Sequence, residues 1–158
     1  MSKKYKIVLA ANLILVLAFF AFSVVQKETL IAKGTEVLLR LAPVDPRSLM
    51  QGDYMALNYQ IFDKIDRHFK SGYIVVMVDR NKVAKFVRQQ SNTKVNDGEL
   101  IIFYKRHNGR LTIGADNYFF QEGSGKKFEN AKYGLLKVDS DGNSILIGLC
   151  DDAGQLIE

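Results

Sequence analysis

The side chains that could support metal or redox chemistry are few and far apart in this sequence. Cys150 is the single cysteine, so the chain cannot form an internal disulfide, and neither His68 nor His107 has neighbours at the spacing of a zinc site. A lipoprotein signal would place its cysteine just after an N-terminal apolar run, whereas Cys150 lies in "ILIGLC", as a thiol packed in a strand would. We therefore expect no metal ion and no cofactor.

Two polar segments have only part of the pattern of a ligand-binding motif. In "EGSGKK", residues 122–127, a phosphate-binding loop would need glycine in place of Phe120 and Ser or Thr in place of Lys127. In "DSDGN", residues 139–143, the acidic residues have the spacing of the start of a calcium loop, but no Glu follows at the required distance. The second segment is more typical of a hairpin turn.

The stretch "DPRSLMQGDYMALNYQI", residues 45–61, carries the most specific pattern, because it contains G-D-Y-x-x-L-x-Y. This pattern resembles the GDYXXLXY family of membrane-anchored bacterial proteins, and the resemblance extends from the N-terminal apolar run to "FENAKYG". It implies a membrane anchor and an interaction role, often beside multi-spanning membrane proteins, and it implies no reaction. The motif residues are Asp45, Pro46, Arg47, Gly52, Asp53, Tyr54, Leu57 and Tyr59.

The motif also has a structural explanation. Gly52 allows the chain to turn where other residues would be strained, and the carboxylate of Asp53 can accept hydrogen bonds from backbone N–H groups in that turn. Tyr54 points to the face opposite Leu57 and Tyr59, so aromatic rings would hold both sides of the strand. We expect the motif to serve the fold before it serves a binding site.

A weaker likeness relates the same stretch to signal peptidases of the serine-lysine type. Pro46 and Gly52, followed later by Lys85 and Arg88, look like that scaffold in order, but one extra residue separates Pro46 from Gly52 and the serine before the proline is missing. The likeness implies that a peptidase here would use Ser48 as a displaced nucleophile and a desolvated Lys85 as its base. A related scaffold that binds at the membrane surface without catalysis is the simpler interpretation.

These residues follow an apolar segment long enough to cross a bilayer. Residues 7–26 carry no charge, and 20 helical residues at about 1.5 Å each span a hydrocarbon core of about 30 Å. Lys3, Lys4 and Lys6 precede the segment, which favours an N-terminus in the cytoplasm. A secretory signal cleaved after Ser23 is the alternative, although the apolar run continues beyond that site.

Asn12 is the one strongly polar side chain within this segment. Its amide would find a partner on a helix of a second membrane protein, or it would be wetted at the cytoplasmic interface, and the sequence leaves both open. The expected partners are the lipid bilayer, through residues 7–26, and, as a candidate, a multi-spanning membrane protein.

The charge distribution argues against nucleic acid. The chain has a formal net charge of +5, but from Lys27 onward it carries 19 basic and 17 acidic groups. Binding to phosphates needs a concentrated basic face, which so balanced a surface does not provide. We therefore expect no nucleic-acid partner.

Short alternating or apolar segments follow, separated by turn residues as in "HNG" and "DSDGN". They predict a mainly β fold, an antiparallel β-sheet or barrel-like domain. "YIVVMVD" and "KVAKFVRQQ" meet at Arg80-Asn81, which predicts a hairpin. The segment "KKFENAKYG" does not have the strand pattern and predicts one short helix that ends at Gly134.

Alternation also predicts which faces of two strands are buried. In "TEVLLRLAP", Val37 and Leu39 share one face and Leu38 lies on the other. In "YMALNYQI", the face that carries Leu57 and Tyr59 is the candidate for the core.

The sequence thus predicts a single-pass protein of the bacterial cytoplasmic (inner) membrane. Residues 1–6 would be cytoplasmic, 7–26 would form the transmembrane helix and 27–158 an extracytoplasmic β-rich domain, periplasmic in a Gram-negative cell. Its expected function is that of an accessory or interaction subunit of an integral membrane assembly. The alternatives are a membrane-bound serine-lysine peptidase and an extracytoplasmic ligand-binding domain whose pocket is lined by tyrosines and phenylalanines.

Overall fold

The chain divides into two units, residues 1–33 and 34–158, which are described separately. The first contains one helix and the second contains all the strands of the described part of the chain. For residues 50 and 51 only the backbone is described. The computed structural model describes residues 3–42, 50–51, 54–66 and 68–157.

The first unit is a single continuous helix, α1 (Lys3–Lys33). Its apolar side chains lie on all sides and the most apolar window is not buried at all, so by length and composition α1 could cross a membrane. The predicted segment 7–26 lies within it. The hydroxyl of Ser23 donates to the carbonyl oxygen of Phe19 at 3.1 Å, so this polar group is satisfied inside the helix.

The second unit is built from antiparallel sheets, which confirms the predicted fold class. The sheets do not close into a barrel, and their strand orders are β1-β9-β10, β2-β3-β8 and β5-β4-β6-β7. The strands of the described residues are β1 (Thr35–Arg40), β2 (Met50–Gln51), β3 (Tyr54–Ala56), β4 (Ser71–Val78), β5 (Ala84–Gln90), β6 (Glu99–His107), β7 (Arg110–Thr112), β8 (Asn117–Phe119), β9 (Tyr133–Val138) and β10 (Ser144–Cys150).

Both predicted hairpins are present. Strands β4 and β5 pair around the turn at Arg80-Asn81, and β9 pairs with β10 around "DSDGN". In the second turn the carboxylate of Asp139 accepts the backbone N–H groups of Asp141 at 3.0 Å and Asn143 at 2.8 Å. The acidic residues that resembled a calcium loop are therefore used to close the turn.

The core face predicted for the motif strand is confirmed. Met55, Leu57, Tyr59 and Ile61 are all buried. Strand β3 ends at Ala56, but the chain stays extended enough for the alternation to continue up to a 3₁₀ turn at Gln60–Lys64.

Strand β1 differs from its prediction, because its middle residues are buried on both faces. Leu38 was expected on the face away from the core, yet it is 4% exposed. Its backbone N–H donates to the carbonyl oxygen of Lys82 at 2.8 Å, and it forms a parallel bridge with Val83. Contacts with a distant part of the chain thus cover a face that local alternation assigned to solvent.

The predicted short helix is a single 3₁₀ turn at Gly125–Phe128, and its predicted end at Gly134 is wrong. Gly134 lies within β9, where a Cβ atom would come 3.1 Å from the ring carbon Cε1 of Tyr59. The glycine is therefore explained by the close approach of a buried ring and not by the end of a helix.

Cys150 ends strand β10 and is 1% exposed, as expected for a thiol packed in a strand. Burial raises the pKa of this thiol, and the nearby Asp151 raises it further. At neutral pH the side chain therefore behaves as a small apolar group.

Candidate functional site

Several residues singled out in the sequence have no described position. Asp53 and Ser48 are among them, so neither the predicted Gly-Asp turn nor the distance from Ser48 to Lys85 is observed. The motif and candidate residues outside the described ranges are Asp45, Pro46, Arg47, Ser48, Gly52 and Asp53.

Lys85, the candidate base, lies on β5 in an open environment. Its side chain is 70% exposed, and its Nζ atom is 3.2 Å from a carboxylate oxygen of Asp79. A lysine that acts as a general base needs desolvation or a neighbouring cation, and Lys85 has a carboxylate and solvent instead.

Two tyrosines of the motif lie on opposite sides of the extended segment 54–59, as predicted. Tyr54 is paired with Phe119 across β3 and β8, and the two ring centroids are 5.8 Å apart. Tyr59 is fully buried, and its hydroxyl donates to the carbonyl oxygen of Ala115 at 2.5 Å. Burial also raises the pKa of Tyr59, so the hydroxyl keeps the proton that it donates.

The end of the motif borders a cleft with a volume of about 970 Å³. Ala56, Leu57 and Asn58 line one side, and the β6–β7 hairpin lines the other. Among the described residues of the lining, Phe62 is the only phenylalanine or tyrosine, so the cleft differs from the aromatic pocket considered from the sequence. Its side chains are mostly polar or charged.

Arg106 is the most unusual of these side chains. Its Nη1 atom donates to the carbonyl oxygen of Gly109 at 3.2 Å, within the β6–β7 hairpin. Its Nε and Nη2 atoms are buried and have no hydrogen-bond partner among the described residues. Buried donors are rarely left unpaired, because the desolvation cost is about 1–3 kcal/mol and is larger for charged groups.

The acidic residues that line the cleft form no hydrogen bond with Arg106, and the carboxylate of Asp66, outside the lining, interacts with its charge without a hydrogen bond. Asp116 accepts a hydrogen bond from the hydroxyl of Thr112 and a longer one, at 3.4 Å, from the backbone N–H of Ile113. Asp63 is exposed and follows the motif by four residues. The cleft lining therefore holds a hydrogen-bonded carboxylate, an exposed carboxylate and an arginine with two buried nitrogens that no described residue pairs.

Strand β7 gives the cleft a sheet edge that is free among the described strands, because β7 is the last strand in the order β5-β4-β6-β7. Arg110, Leu111 and Thr112 all line the cleft. An edge strand presents backbone N–H and C=O groups that can pair with another extended segment.

Sequence reasoning missed Arg106 as a functional candidate. The segment "KRHNGR" was interpreted only as a strand and a turn, and this part was correct. An arginine that alternates with Ile102 and Tyr104 in a strand was a usable signal, because period-2 alternation places Arg106 on the same face as those two buried side chains.

Comparison with known proteins gives one result. The family model described as GDYXXLXY protein matches residues 16–149, which is most of the chain and includes the motif and the cleft. No curated protein and no solved structure matches.

Proposed function

This chain belongs to the GDYXXLXY family, and from that membership we propose that it is a membrane-anchored accessory subunit of an integral membrane assembly. In this proposal α1 holds the chain in the cytoplasmic membrane of a bacterium, with the N-terminus inside and the β-rich unit outside. The observation that carries the proposal is α1 itself, a 31-residue helix long and apolar enough to cross a membrane, whose apolar window is not buried among the residues that the structure describes.

The orientation is supported by the charges that flank α1. Lys3, Lys4 and Lys6 lie before the apolar run, whereas Lys27 is followed at once by Glu28. Positive residues are retained in the cytoplasm, so the proposed topology is N-in.

Asn12 supports an interaction within the bilayer. Its side chain has no hydrogen bond to any residue that the structure describes, in contrast to Ser23, whose hydroxyl is satisfied within the helix. An amide in hydrocarbon gains about 0.5–2 kcal/mol from a partner on another helix. This makes α1 a contact surface as well as an anchor.

The test is co-purification from native membranes. The full chain is crosslinked in its host, extracted in mild detergent and captured, and the wild type is compared with Asn12→Leu and with Ser23→Ala as the matched polar control. We expect a multi-spanning membrane protein with the wild type and with Ser23→Ala, and several-fold less of it with Asn12→Leu. A wild-type protein that is always recovered alone and monomeric would contradict the proposal.

The orientation has a separate test, in which Cys150 is replaced and a new cysteine is introduced at an exposed position. Asp97 is exposed in the loop before β6, so Asp97→Cys in a Cys150→Ala background provides one accessible thiol. On intact cells, or on cells with a permeabilised outer membrane, a membrane-impermeant maleimide should label this variant. Labelling that requires disruption of the cytoplasmic membrane would overturn the N-in topology.

Ligand binding is the second candidate function, and the cleft beside β7 favours it. Its volume is near the upper end of the usual range for small-molecule sites, and two nitrogens of Arg106 are unpaired within the described part of the chain. Both features suit the binding of a ligand. The peptidase alternative has less support, because Lys85 is exposed and paired with Asp79.

A further inference from the structure

We propose that the cleft beside β7 binds an extended peptide segment that carries a carboxylate group. Three observations on different residues converge on this occupant: the unpaired edge of Arg106, the free edge of β7, and the amide side chains in the lining. The site lies in the second unit and does not depend on the role proposed for α1.

The unpaired atoms of Arg106 have the chemistry of a carboxylate receptor. Nε–H and one Nη2–H point in the same direction and form a planar fork that matches the two oxygens of a carboxylate. The third nitrogen is held by Gly109 at 3.2 Å, close to the upper limit for an N–H···O bond. Because the fork is buried, binding requires the guanidinium to turn toward the cleft, and this turn breaks the hydrogen bond to Gly109.

The backbone of β7 provides the place for an extended chain. The N–H of Arg106 donates to the carbonyl oxygen of Lys70 at 2.7 Å, on the β4 side of the strand. The pair Arg106–Leu111 therefore exchanges no backbone bonds, and the N–H and C=O groups of Leu111 point away from β6. In the described part of the chain neither group has a backbone partner, so a peptide strand can add there.

The remaining polar lining favours a singly charged peptide over a polyanion. Asn58 and Asn117 are exposed and offer amide donors and acceptors, which suit a peptide backbone. The other charges in the lining are mixed, with Asp63 and Asp116 against Arg110, so they provide no concentrated positive field for a polyanion. One carboxylate placed on Arg106, with neutral backbone along β7 and beside the amides, would pair with Arg106, with the edge of β7 and with Asn58 and Asn117.

The experiment uses the full chain in mild detergent and two heptapeptide libraries. One library has Asp at the central position and the other has Asn, with the remaining six positions randomised. We expect the wild type to retain the Asp library about tenfold more strongly than the Asn library, and the Nε–H signal of Arg106 to shift in ¹⁵N-arginine spectra. Arg106→Gln should bind both libraries equally, whereas Arg80→Gln, an exposed arginine at the β4–β5 turn, should bind like the wild type.

Two further measurements on the wild type test the binding proposal even if Arg106→Gln folds poorly. A backbone N-methylated Asp library, tested on the wild type, should lose retention because it cannot pair with β7. Acetate and inorganic phosphate should compete only at concentrations far above those of the peptides. Equal retention of the Asp and Asn libraries, unchanged retention after N-methylation, or complete competition by either small anion at peptide concentrations would overturn the proposal.

Discussion

Tyr59 and Arg106 both carry polar atoms below the surface of the β-rich unit, but only one of them is satisfied there. The hydroxyl of Tyr59 has a short hydrogen bond to Ala115, and the ring fills the core against Gly134. Arg106 has two buried nitrogens without a partner among the described residues. The Tyr59 hydroxyl is therefore part of the structure of the core, whereas the guanidinium of Arg106 has donors that a ligand could bind.

A second arginine shows that the fold can satisfy a guanidinium. Arg88 forms two hydrogen bonds with the carboxylate of Glu99, at 2.6 and 2.8 Å. The same bidentate geometry is what the open edge of Arg106 lacks. Tyr59 and Glu99 have hydrogen-bond partners in the fold, whereas two nitrogens of Arg106 have none among the described residues. Substitutions at these three residues test whether the paired groups stabilise the fold and the unpaired group does not.

The largest effect is expected when the ring of Tyr59 is removed. Tyr59→Ala leaves a large cavity in the core and should lower the free energy of unfolding by about 3–5 kcal/mol. The chain has no tryptophan, so unfolding by urea is followed by circular dichroism of the protein in detergent. A loss below about 1 kcal/mol would show that the motif tyrosine is not structural.

Removal of the hydroxyl alone should have a smaller effect. Tyr59→Phe keeps the ring but leaves the carbonyl oxygen of Ala115 without its donor, which should cost about 1–3 kcal/mol. The same urea titration measures this loss of stability. A variant as stable as the wild type would show that the hydrogen bond of Tyr59 does not stabilise the fold, which would contradict the comparison with Arg106.

The pair of Arg88 and Glu99 should make stability depend on pH. Arg88 is the main cause that lowers the pKa of Glu99 from 4.5 to about 2. Because this pKa is depressed in the folded state, the pair's contribution is complete above pH 4.5 and is lost as the pH falls toward 2.

The matched variants are Glu99→Gln and Glu122→Gln, a carboxylate in an exposed loop. Glu99→Gln should lower the urea midpoint at pH 7, and its difference from the wild type should shrink between pH 4.5 and 3. Glu122→Gln should follow the wild type throughout. A constant difference across this pH range would show that the ion pair is not the cause.

Removal of the charge of Arg106 should change stability little. Arg106→Met keeps an unbranched apolar stem and deletes an unpaired buried cation, so we expect a free energy of unfolding within about 1 kcal/mol of the wild type, or slightly higher. A loss of 3 kcal/mol or more in the urea titration would indicate that Arg106 is paired in solution and would break the comparison with Tyr59.

The smallest effect is expected for the residues that resembled a catalytic pair. Ser48→Ala and Lys85→Ala, alone and together, should leave function in the host cell unchanged, because Lys85 is exposed and bound to Asp79. Complementation of a deletion strain measures this. Failure of both variants, with normal protein levels, would revive the peptidase hypothesis.

Local patterns in the sequence predicted the elements and the facing of the motif strand. Alternation from Met55 to Ile61 holds because each side chain is placed by its own backbone, even after β3 ends at Ala56. The turn at residues 139–143 is likewise specified by its own residues, since the carboxylate of Asp139 closes it.

Features that depend on distant contacts were not predictable in this way. Leu38 is buried because Lys82 and Val83 pair with it, and Gly134 is a strand residue because the Tyr59 ring lies against it. The cleft forms between residues 56–58 and the β6–β7 hairpin, which are about 50 positions apart in the sequence. Nothing local to either segment shows that they face each other.

The burial of Cys150 has a consequence for how the protein matures. In the proposed location outside the cytoplasmic membrane, an accessible lone thiol would be open to mixed disulfides with oxidoreductases or to covalent dimers. With Cys150 closed into β10 and its thiolate disfavoured, the folded chain offers those enzymes no substrate. The Cys150 thiol is then exposed to oxidants only between translocation and folding. Fast folding would therefore limit its oxidation.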